Sequence, residues 1–545
     1  MKDGRMLLLN FNLLATAPGG VARLRELILT LAVQGKLVPQ DPGDEPANVL
    51  LKRIRVGKDR LIAEGRIRQD KPLPPITDEE KPFGLPTKWE WVRFGEASIN
   101  RDGERIPVSS IDRDNRAKIY DYYGASGVID KIDGFLFEKT LLLIGEDGAN
   151  LISRSTPIAF LAHGKYWVNN HAHVIDTTHK EVMDYLALFI NAISLEPYVT
   201  GTAQPKMNQA KLNSIVVALP PLAEQSRIVA RVEELMHVCD ALEAKGKLEA
   251  AQHAQLVSTL LDTLTGSDTP EALADNWQRI EAHFDLLLDR PQAIDAFEQT
   301  ILHLAVRGLL VPQDPSDEPA SILLQKIRAE KDRLILESKI RQDKTLTAIT
   351  DEEKPFELPV GWELVRLGGL IELISGQHLG PNEYVEGLGR DIPYLTGPAD
   401  FGNFSPVPSR STNERRAIAV QDDILITVKG SGVGKLNLVN QSEVAISRQL
   451  MAIRPIGLAY QYVMLILQTM AQHFQSKAVG IAIPGIGRED VVLTPIGLPP
   501  LSEQSRIVAR VEELRRLCAN LRQRLSASQT TQAHLAETMV ESLVG

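Results

Sequence analysis

A glycine-rich stretch near position 430, GSGVGKL, is the part of this chain that comes nearest to a phosphate-binding loop. A loop of that kind needs a glycine five residues before its second glycine, and a Ser or Thr after its lysine to reach the bound metal. Lys429 stands at the first of these positions and Leu436 at the second. The stretch therefore predicts a glycine-rich turn and not a nucleotide site.

Three nearby histidines, His171, His173 and His179, could suggest a metal site. Alternate residues of a strand share one face, but protein zinc sites need three or four ligands at firm spacing, commonly with cysteine among them. The chain has only two cysteines, and neither lies in this stretch. We therefore expect no metal ligand here, and interpret these histidines as polar strand positions or as contacts to DNA.

Two acidic–basic triplets, EEK at 79–81 and EEK at 352–354, resemble half of the motif of a metal-dependent nuclease. Both lie in proline-flanked connectors, without a convincing buried strand to place a carboxylate beside a lysine. We therefore expect no catalytic residue. A self-contained nuclease or methyltransferase stays as an alternative that these triplets leave open.

The overall composition limits the remaining functions. A length of 545 residues exceeds what one hydrophobic core supports, and no run of about 18 apolar residues predicts a membrane span. The scarcity of cysteine is typical of a protein in the reducing cytoplasm. Net charge is −10, and residues 89–218 hold 13 Lys and Arg against 16 Asp and Glu, so composition does not indicate nucleic-acid binding. Residues 52–71 and 326–344 are locally basic, which indicates either solvated helix faces or contact with phosphate or an acidic partner.

The chain contains a tandem repeat. LPPLAEQSRIVARVEEL from Leu219 returns from Leu498 with one change; we call these the junction segments. LAVQGKLVPQDP from Leu31 returns from Leu304 as LAVRGLLVPQDP, at a slightly smaller offset. The segments between, roughly 90–218 and 363–497, therefore differ a little in length, and by eye they share little sequence. Two near-constant frames enclose two divergent inserts.

The frames are predicted to be helical. After each junction segment, apolar residues recur by four and three, the heptad pattern typical of a coiled coil. These residues are Ile228, Val232, Leu235, Cys239, Leu242, Leu256 and Leu260 in the first copy, and Ile507, Val511, Leu514, Cys518, Leu521, Leu525, Leu535 and Met539 in the second. Before each insert, helices are predicted around 21–35 and 47–67, and around 293–308 and 320–341.

The inserts are predicted to be mixed α/β domains. KTLLLIGEDG from Lys139 and DDILITVKG from Asp422 are strand-then-turn patterns. VMDYLALFINAI and YQYVMLILQTM, late in each insert, are apolar helices. Two consecutive prolines then force an extended exit before the next helix.

Together, the junction segments and the series YYGASGVID, LLLIGEDGANL, STPIAF and GKYWVNNHAHVI resemble the specificity subunit of type I restriction-modification enzymes. ISRQLMAIRP from Ile446 fits a second, different recognition domain of that family. The resemblance covers almost the whole chain. It implies an α+β multidomain fold, a tandem pseudo-repeat of two mixed α/β target recognition domains separated by long antiparallel coiled-coil helices.

The resemblance also implies the domain limits. These are a helical frame and connector at 1–88, a target recognition domain at 89–221, a central coiled-coil helix at 222–265, a second frame and connector at 266–361, a second target recognition domain at 362–500 and a C-terminal coiled-coil helix at 501–545. Each recognition domain would read one half of a bipartite, asymmetric DNA site.

The expected partners and cofactors follow from the same resemblance. The chain would bind double-stranded DNA, two methyltransferase subunits and two restriction–translocase subunits, and no membrane. It would be non-catalytic and hold no cofactor, whereas the assembled complex would use S-adenosylmethionine, ATP and Mg. The alternative from another class is a coiled-coil scaffold that binds protein, which explains the frames but not why the inserts diverge.

Candidate DNA contacts come from placing the family's motif-bearing loops on polar residues, since such side chains suit the base edges of the major groove. They are Tyr122, Tyr123, Ser126, Asn150, Arg154, Asn169, Asn170, His171, His173, Gln204 and Lys206 in the first insert, and Lys429, Ser431, Lys435, Ser447, Arg448, Gln449 and Arg488 in the second. In one loop the inserts depart from each other, because GTAQPKMNQ at Gly201 is answered by GIAIPGIGR at Gly480. Gln204 and Lys206 thus become Ile483 and Gly485.

Overall fold

The computed structural model describes residues 14–67, 71–201, 204–267, 269–342, 344–354, 356–478 and 484–544. The first thirteen residues of the predicted frame 1–88 lie outside this part. The chain divides into two compact units, Met1–Glu249 with Ser528–Gly545, and Ala250–Ala527. Among the described residues, every helix is too short or too polar to cross a membrane.

The first unit is built from two helices of the frame, a strand-rich insert and the start of a long helix. Its helices are α1 Gly20–Val33, α2 Ala47–Ala63, α3 Phe94–Ala97, α4 Ser110–Asp114, α5 Asn150–Ser153, α6 Lys180–Ala192, α7 Gln209–Ser214 and α8 Leu222–Thr265, whose residues after Glu249 belong to the second unit. Its strands are β1 Glu90–Arg93, β2 Ile99–Asn100, β3 Tyr120–Gly124, β4 Gly127–Ile132, β5 Phe137–Glu138, β6 Leu141–Gly145, β7 Ala159–Ala162, β8 Lys165–Val168, β9 Ala172–Asp176 and β10 Val216–Leu219.

The second unit repeats this order with a longer insert. Its helices are α9 Pro270–Ala282, α10 Phe284–Leu287, α11 Pro291–Val306, α12 Ala320–Leu336, α13 Tyr460–Thr469, α14 Ala471–Lys477, α15 Arg488–Val492 and α16 Leu501–Val544, whose residues after Ala527 belong to the first unit. Its strands are β11 Glu363–Arg366, β12 Ile371–Ser375, β13 Tyr384–Glu386, β14 Ile392–Leu395, β15 Arg410–Thr412, β16 Ile418–Val420, β17 Ile424–Thr427, β18 Leu436–Leu438, β19 Glu443–Ile446, β20 Leu450–Pro455 and β21 Pro495–Leu498.

The predicted elements are confirmed, with small differences at their ends. The two strand-then-turn patterns form β6 and β17, and the two apolar stretches form α6 and α13. Helices α2 and α12 end before the predicted 67 and 341, because the chain enters the left-handed region at Gly65 and Ser338. Gly35 ends α1 in the same way, with a φ of 69°; a Cβ there would lie 2.6 Å from the ring of Pro86.

Each insert holds the same pair of sheets. One has the strand order β2-β9-β6-β7 in the first insert and β12-β20-β17-β18 in the second. The other has the order β4-β3-β8-β5 and β13-β15-β14-β19-β16, so the longer insert carries an extra edge strand, β13. In these second sheets β3 runs parallel to β8, and β14 parallel to β19. The equivalence shows that the divergent inserts share one architecture.

The repeated junction segment has a structural explanation in a buried carboxylate. Strand β10 leaves the insert paired with the entry strand β1. Glu224, which is 1% exposed, then accepts hydrogen bonds from Trp89 Nε1 at 3.0 Å and Gln40 Nε2 at 2.7 Å. Glu503 accepts the same bonds from Trp362 and Gln313, at 3.0 and 2.8 Å.

This carboxylate joins three parts of each frame: the turn before the insert, the entry to the insert and the start of the long helix. Burial raises the pKa of Glu224 and of Glu503, and the hydrogen bonds from tryptophan and glutamine offset part of that rise. A buried carboxylate needs its donors, so each of the three sequences constrains the other two. Because of that mutual requirement, all three sequence segments recur together in the two frames.

The long helices α8 and α16 are confirmed, but the face that they bury differs from the predicted heptads in their far halves. Leu256 and Leu535 are 52% and 49% exposed, so their assignment to the apolar seam is wrong. Val257 and Ala536 are buried in their place.

Helix geometry accounts for this shift. Val257 follows Cys239 at the same spacing as Ala536 follows Cys518, and that spacing is a whole number of turns, about five at 3.6 residues per turn. A strict heptad drifts by about 20° per repeat from the face of a straight helix. Both cysteines are buried, as expected for small apolar positions.

Candidate nucleic-acid interface

Four loops of the first insert lie against one another beyond the ends of its central strands. We call residues 124–127, 146–150, 169–171 and the described part of 200–206 the first loop cluster. Asn169 N–H donates to Tyr123 O at 3.1 Å, Glu146 N–H to His171 O at 2.8 Å and Gly148 N–H to Pro205 O at 3.0 Å. These bonds tie the loops together through the backbone, which leaves side chains to vary.

The strands require a close approach at this place. Gly145 ends β6, and a Cβ on it would lie 2.8 Å from the carbonyl oxygen of Ala125. Since a real Cβ does not come so near to a backbone oxygen, glycine lets the turn after β3 pack over the end of β6. The strand-then-turn pattern predicted the turn after β6. The pairing of the strands decides which other loops contact that turn.

The second insert builds an equivalent group of loops, which we call the second loop cluster: residues 396–398, 428–435, 447–449 and 484–486. Ser447 N–H donates to Leu395 O at 2.9 Å, Val428 N–H to Gln449 O at 2.8 Å and Gly430 N–H to Pro484 O at 2.8 Å. The three bonds repeat those of the first cluster. Asn169-Asn170-His171 is therefore equivalent to Ser447-Arg448-Gln449.

Many of the predicted contact residues are exposed in these two clusters. They are Ser126, Asn170, His171, Gln204 and Lys206 in the first, and Lys429, Ser431, Lys435, Arg448 and Gln449 in the second. The sequence aligned the two inserts only in the loop that begins at Gly201 and Gly480, yet the structure places the other exposed candidates on equivalent loops as well. Ile483, which the sequence aligned with Gln204, lies outside the described residues.

Five predicted contacts are buried or half-buried. Tyr122 is 1% exposed and its hydroxyl bonds the backbone of Val108, and Tyr123 packs against the rings of Phe160 and Tyr166. Burial raises the pKa of Tyr123.

The other three are polar groups that hold the backbone. Asn169 accepts a hydrogen bond from His171 N–H at 2.8 Å, and Ser447 accepts one from Gln449 N–H at 3.2 Å. His173 is 1% exposed within β9. We correct the assignments of Tyr122, Asn169, His173 and Ser447, because a buried side chain has little surface to offer a base edge. Tyr123 is only half-buried, and its assignment stays a prediction.

Asn150, Arg154 and Arg488 also serve the structure. The Asn150 amide donates to Thr156 O and accepts from Thr156 N–H, both at 3.0 Å. Arg154 donates to Ile190 O at 3.2 Å, at the C-terminal end of α6, where a cation is favoured by the helix dipole. Arg488 donates to Leu373 O at 2.5 Å. Polarity alone could not separate these residues from surface contacts.

The electrostatics of the two clusters differ. His171 Nδ1 lies 2.7 Å from a carboxylate oxygen of Asp147, and Lys206 Nζ lies 3.2 Å from Glu146. At the positions equivalent to Glu146 and Asp147 the second cluster has Val428 and Lys429. The first surface therefore pairs acids with bases, whereas in the second both Lys429 and Arg448 are exposed.

In the structure, the acidic–basic triplets that resemble a nuclease motif make contacts that hold the connector. Arg93 donates two hydrogen bonds to the carboxylate of Glu80, both at 2.8 Å, and Lys81 pairs with Asp78 at 2.6 Å. The bonds from Arg93, together with Thr77 N–H, lower the pKa of Glu80 to about 2. The second triplet repeats this arrangement with Arg366 and Glu353. The carboxylate is thus engaged in holding the connector on the insert.

Comparison with known proteins finds matches along most of the chain. A family model for the "Type I restriction modification DNA specificity domain" matches residues 86–253 and 359–528. The EcoEI and EcoAI type I restriction enzyme specificity subunits of Escherichia coli are each 34% identical to this chain, and each comparison covers 96% of this chain and 94% of the relative. The crystal structure of the HsdS subunit from Thermoanaerobacter tengcongensis matches with a TM-score of 0.40 and 20% identity, over 85% of this chain and 98% of that chain.

Proposed function

The chain belongs to the family of type I restriction-modification DNA specificity subunits, and from this premise we propose that each of its two inserts reads one half of a bipartite, asymmetric DNA site. The observation that carries the proposal is the pair of equivalent loop clusters with different side chains. Asn170 and His171 on one occupy the positions of Arg448 and Gln449 on the other.

These side chains match the chemistry of base recognition. Asn and Gln suit the edge of adenine in the major groove, and Arg suits guanine, because each can make two hydrogen bonds to one base. Two loop clusters with the same backbone arrangement but different side chains suit the recognition of two half-sites of different sequence. The modest charge of the chain is compatible with this, since partners can supply much of the contact to phosphates.

The frames suggest how the partners dock. The near-identical frames hold the same carboxylate, Glu224 or Glu503, with the same donors, so each copy offers a closely similar surface. We propose that these surfaces bind two methyltransferase subunits in pseudo-symmetric fashion, and that two restriction–translocase subunits join the complex.

We further propose that the chain itself is non-catalytic, and that S-adenosylmethionine, ATP and Mg are used by the partners in the cytoplasm. Glu79→Ala and Lys81→Ala together are then expected to leave DNA cleavage and methylation by the assembled complex unchanged. The triplet engages the connector through Glu80, which these changes preserve. Cleavage and methylation assays of the complex, with and without Mg, are the measurement. Loss of cleavage with intact assembly would restore the nuclease alternative.

The central test is a domain exchange. The chain is co-expressed with the methyltransferase encoded beside it, and modified adenines are mapped across a host genome by long-read sequencing. We expect a split motif with one modified adenine in each half. Replacing residues 89–218 by the corresponding insert of the EcoAI relative is expected to change one half only.

The matched control replaces residues 363–497 and is expected to change the other half. A change of both halves by either exchange would contradict the assignment of one half to each insert. Absence of any modified adenine in a verified complex with S-adenosylmethionine present would favour the protein-binding scaffold.

A further inference from the structure

A network of buried ionisable side chains lies beneath the first loop cluster. His173 Nδ1 lies 2.6 Å from Asp102 Oδ2 and its Nε2 lies 2.8 Å from Met207 O. Arg105 Nη1 donates to Glu146 Oε2 at 2.8 Å, and its Nη2 lies 3.4 Å from Asp102 Oδ2. The four side chains are each 13% exposed or less. They come from β9, the segment after β2, and the end of β6, so the network joins parts of the chain that are distant in sequence.

Two carboxylates and a histidine this close are a group that could bind a metal cation. Here, however, positively charged side chains of the protein itself lie against the carboxylates. The guanidinium of Arg105 contacts both carboxylates, and Lys206 Nζ lies 3.2 Å from the other oxygen of Glu146. Burial acts to raise the pKa of Asp102, yet His173, Arg105 and the Val174 N–H outweigh it, so the pKa is lowered overall. The negative charge is therefore neutralised within the network.

The network holds one particular loop. Met207 N–H donates to Glu146 O at 2.8 Å, and Met207 O lies against the buried ring of His173 at 2.8 Å. Lys206, the residue before, pairs with the Glu146 side chain at 3.2 Å. Both ends of the network therefore contact Lys206 and Met207, close in sequence to the exposed Gln204.

In the described part of the second insert, apolar or small residues stand at the positions equivalent to several members of the network. Strand register makes His173, opposite Ile144, equivalent to Met451, opposite Ile426. In the same alignment Asp102, Glu146 and Lys206 correspond to Ser375, Val428 and Gly485. Val428 and Met451 are buried. The loss of Lys206 in the second insert thus goes together with the loss of the carboxylate that it pairs with in the first.

We infer that Asp102, Arg105, Glu146 and His173 are positioning residues that set residues 204–207 for DNA recognition, and that the half-site read by the first insert depends on them while the other does not. The inference rests on the proposed function. It follows because an exposed loop held by directional hydrogen bonds has a defined position only while those bonds are made.

The test is a half-site comparison with His173→Met, which introduces the residue found at the equivalent position of the second insert. It removes both hydrogen bonds of the ring, including the one to Met207 O. In the wild-type complex, methylation rates at the cognate site are compared with rates at sites carrying one altered base pair in either half. For the variant we expect discrimination in the first half to fall by about tenfold or more, with discrimination in the second half retained.

Asp102→Asn is the conservative variant. Its carboxamide can accept from Val174 N–H and donate to His173 Nδ1, while Nε2–H still donates to Met207 O. The variant loses the 3.4 Å contact of Arg105 to Asp102 Oδ2, but Arg105 keeps its bond to Glu146. We therefore expect the variant to keep most of the discrimination, which a requirement for the charge of Asp102 would not allow. Tyr185→Phe is the matched control, since it removes a buried hydrogen bond to Ala218 O away from the loop and should lower stability without changing either half.

Glu146→Val provides a second variant if His173→Met fails to assemble, because it also introduces the residue of the second insert. Equal loss in both halves, or unchanged discrimination in the first half with intact assembly, would overturn the inference. The proposed function is judged separately, by the split motif of the wild-type complex.

Discussion

Replacing Arg448 by alanine is expected to relax recognition at one base pair of the half-site that the second insert reads, and to leave the other half unchanged. Arg448 is exposed at the tip of the second loop cluster, where its guanidinium is available to a base edge. A bidentate contact of that kind discriminates against the wrong base by about 1–3 kcal/mol, which corresponds to about 5- to 150-fold.

The measurement is methylation of synthetic duplexes that carry each base pair at each position of the motif. Arg448→Lys distinguishes two kinds of contact, because lysine keeps the charge but loses the planar fork. If Arg448 contacts a base, lysine restores little discrimination. If it contacts a phosphate, lysine restores binding, and alanine weakens all sequences about equally. The equal weakening would contradict our assignment.

Asn170→Ala is the matched variant in the first loop cluster. It occupies the position equivalent to Arg448, so its effect is expected in the opposite half of the motif. If both variants affected the same half, the equivalence of the two clusters would not extend to DNA recognition.

Replacing Trp89 by alanine is expected to lower the free energy of unfolding of the first unit by about 3–5 kcal/mol, the usual cost of removing a buried aromatic side chain. The indole is buried and lies edge-on to Tyr185 at 6.3 Å between ring centroids. Its Nε1–H also donates to Glu224 at 3.0 Å. The variant would leave a cavity and a buried carboxylate with one donor fewer.

Hydrogen exchange measured by mass spectrometry checks this prediction, because it assigns a loss of protection to particular residues. We expect faster exchange in α1, α2 and β10. Trp362→Ala is the matched variant, expected to act on α11, α12 and β21 in the second unit. Trp89→Phe should give a smaller loss than alanine. Unchanged protection in the first unit would show that the junction segment does not depend on the indole.

The sequence by itself determined the repeated frames, the long helices, the main strands and the family, because these depend on local periodicity and on sequence segments that are repeated in the chain. It also indicated which loops carry polar residues. The heptad continued into the far half of each long helix was wrong at Leu256 and Leu535, since the buried face follows the 3.6-residue turn of the helix and the core that it meets.

Only the tertiary structure decided which polar residues reach the surface. Asn169 and Asn170 are neighbours of the same type, yet one is buried and the other exposed, because Asn169 is hydrogen-bonded to Tyr123 O and to His171 N–H inside the loop, whereas Asn170 lies in the turn between them. Asp102 and His173 are 71 residues apart, so no local pattern could join them. They are brought together because the segment after β2 lies along β9, the strand that holds His173. The burial that results distinguishes a positioning side chain from one that is exposed to DNA.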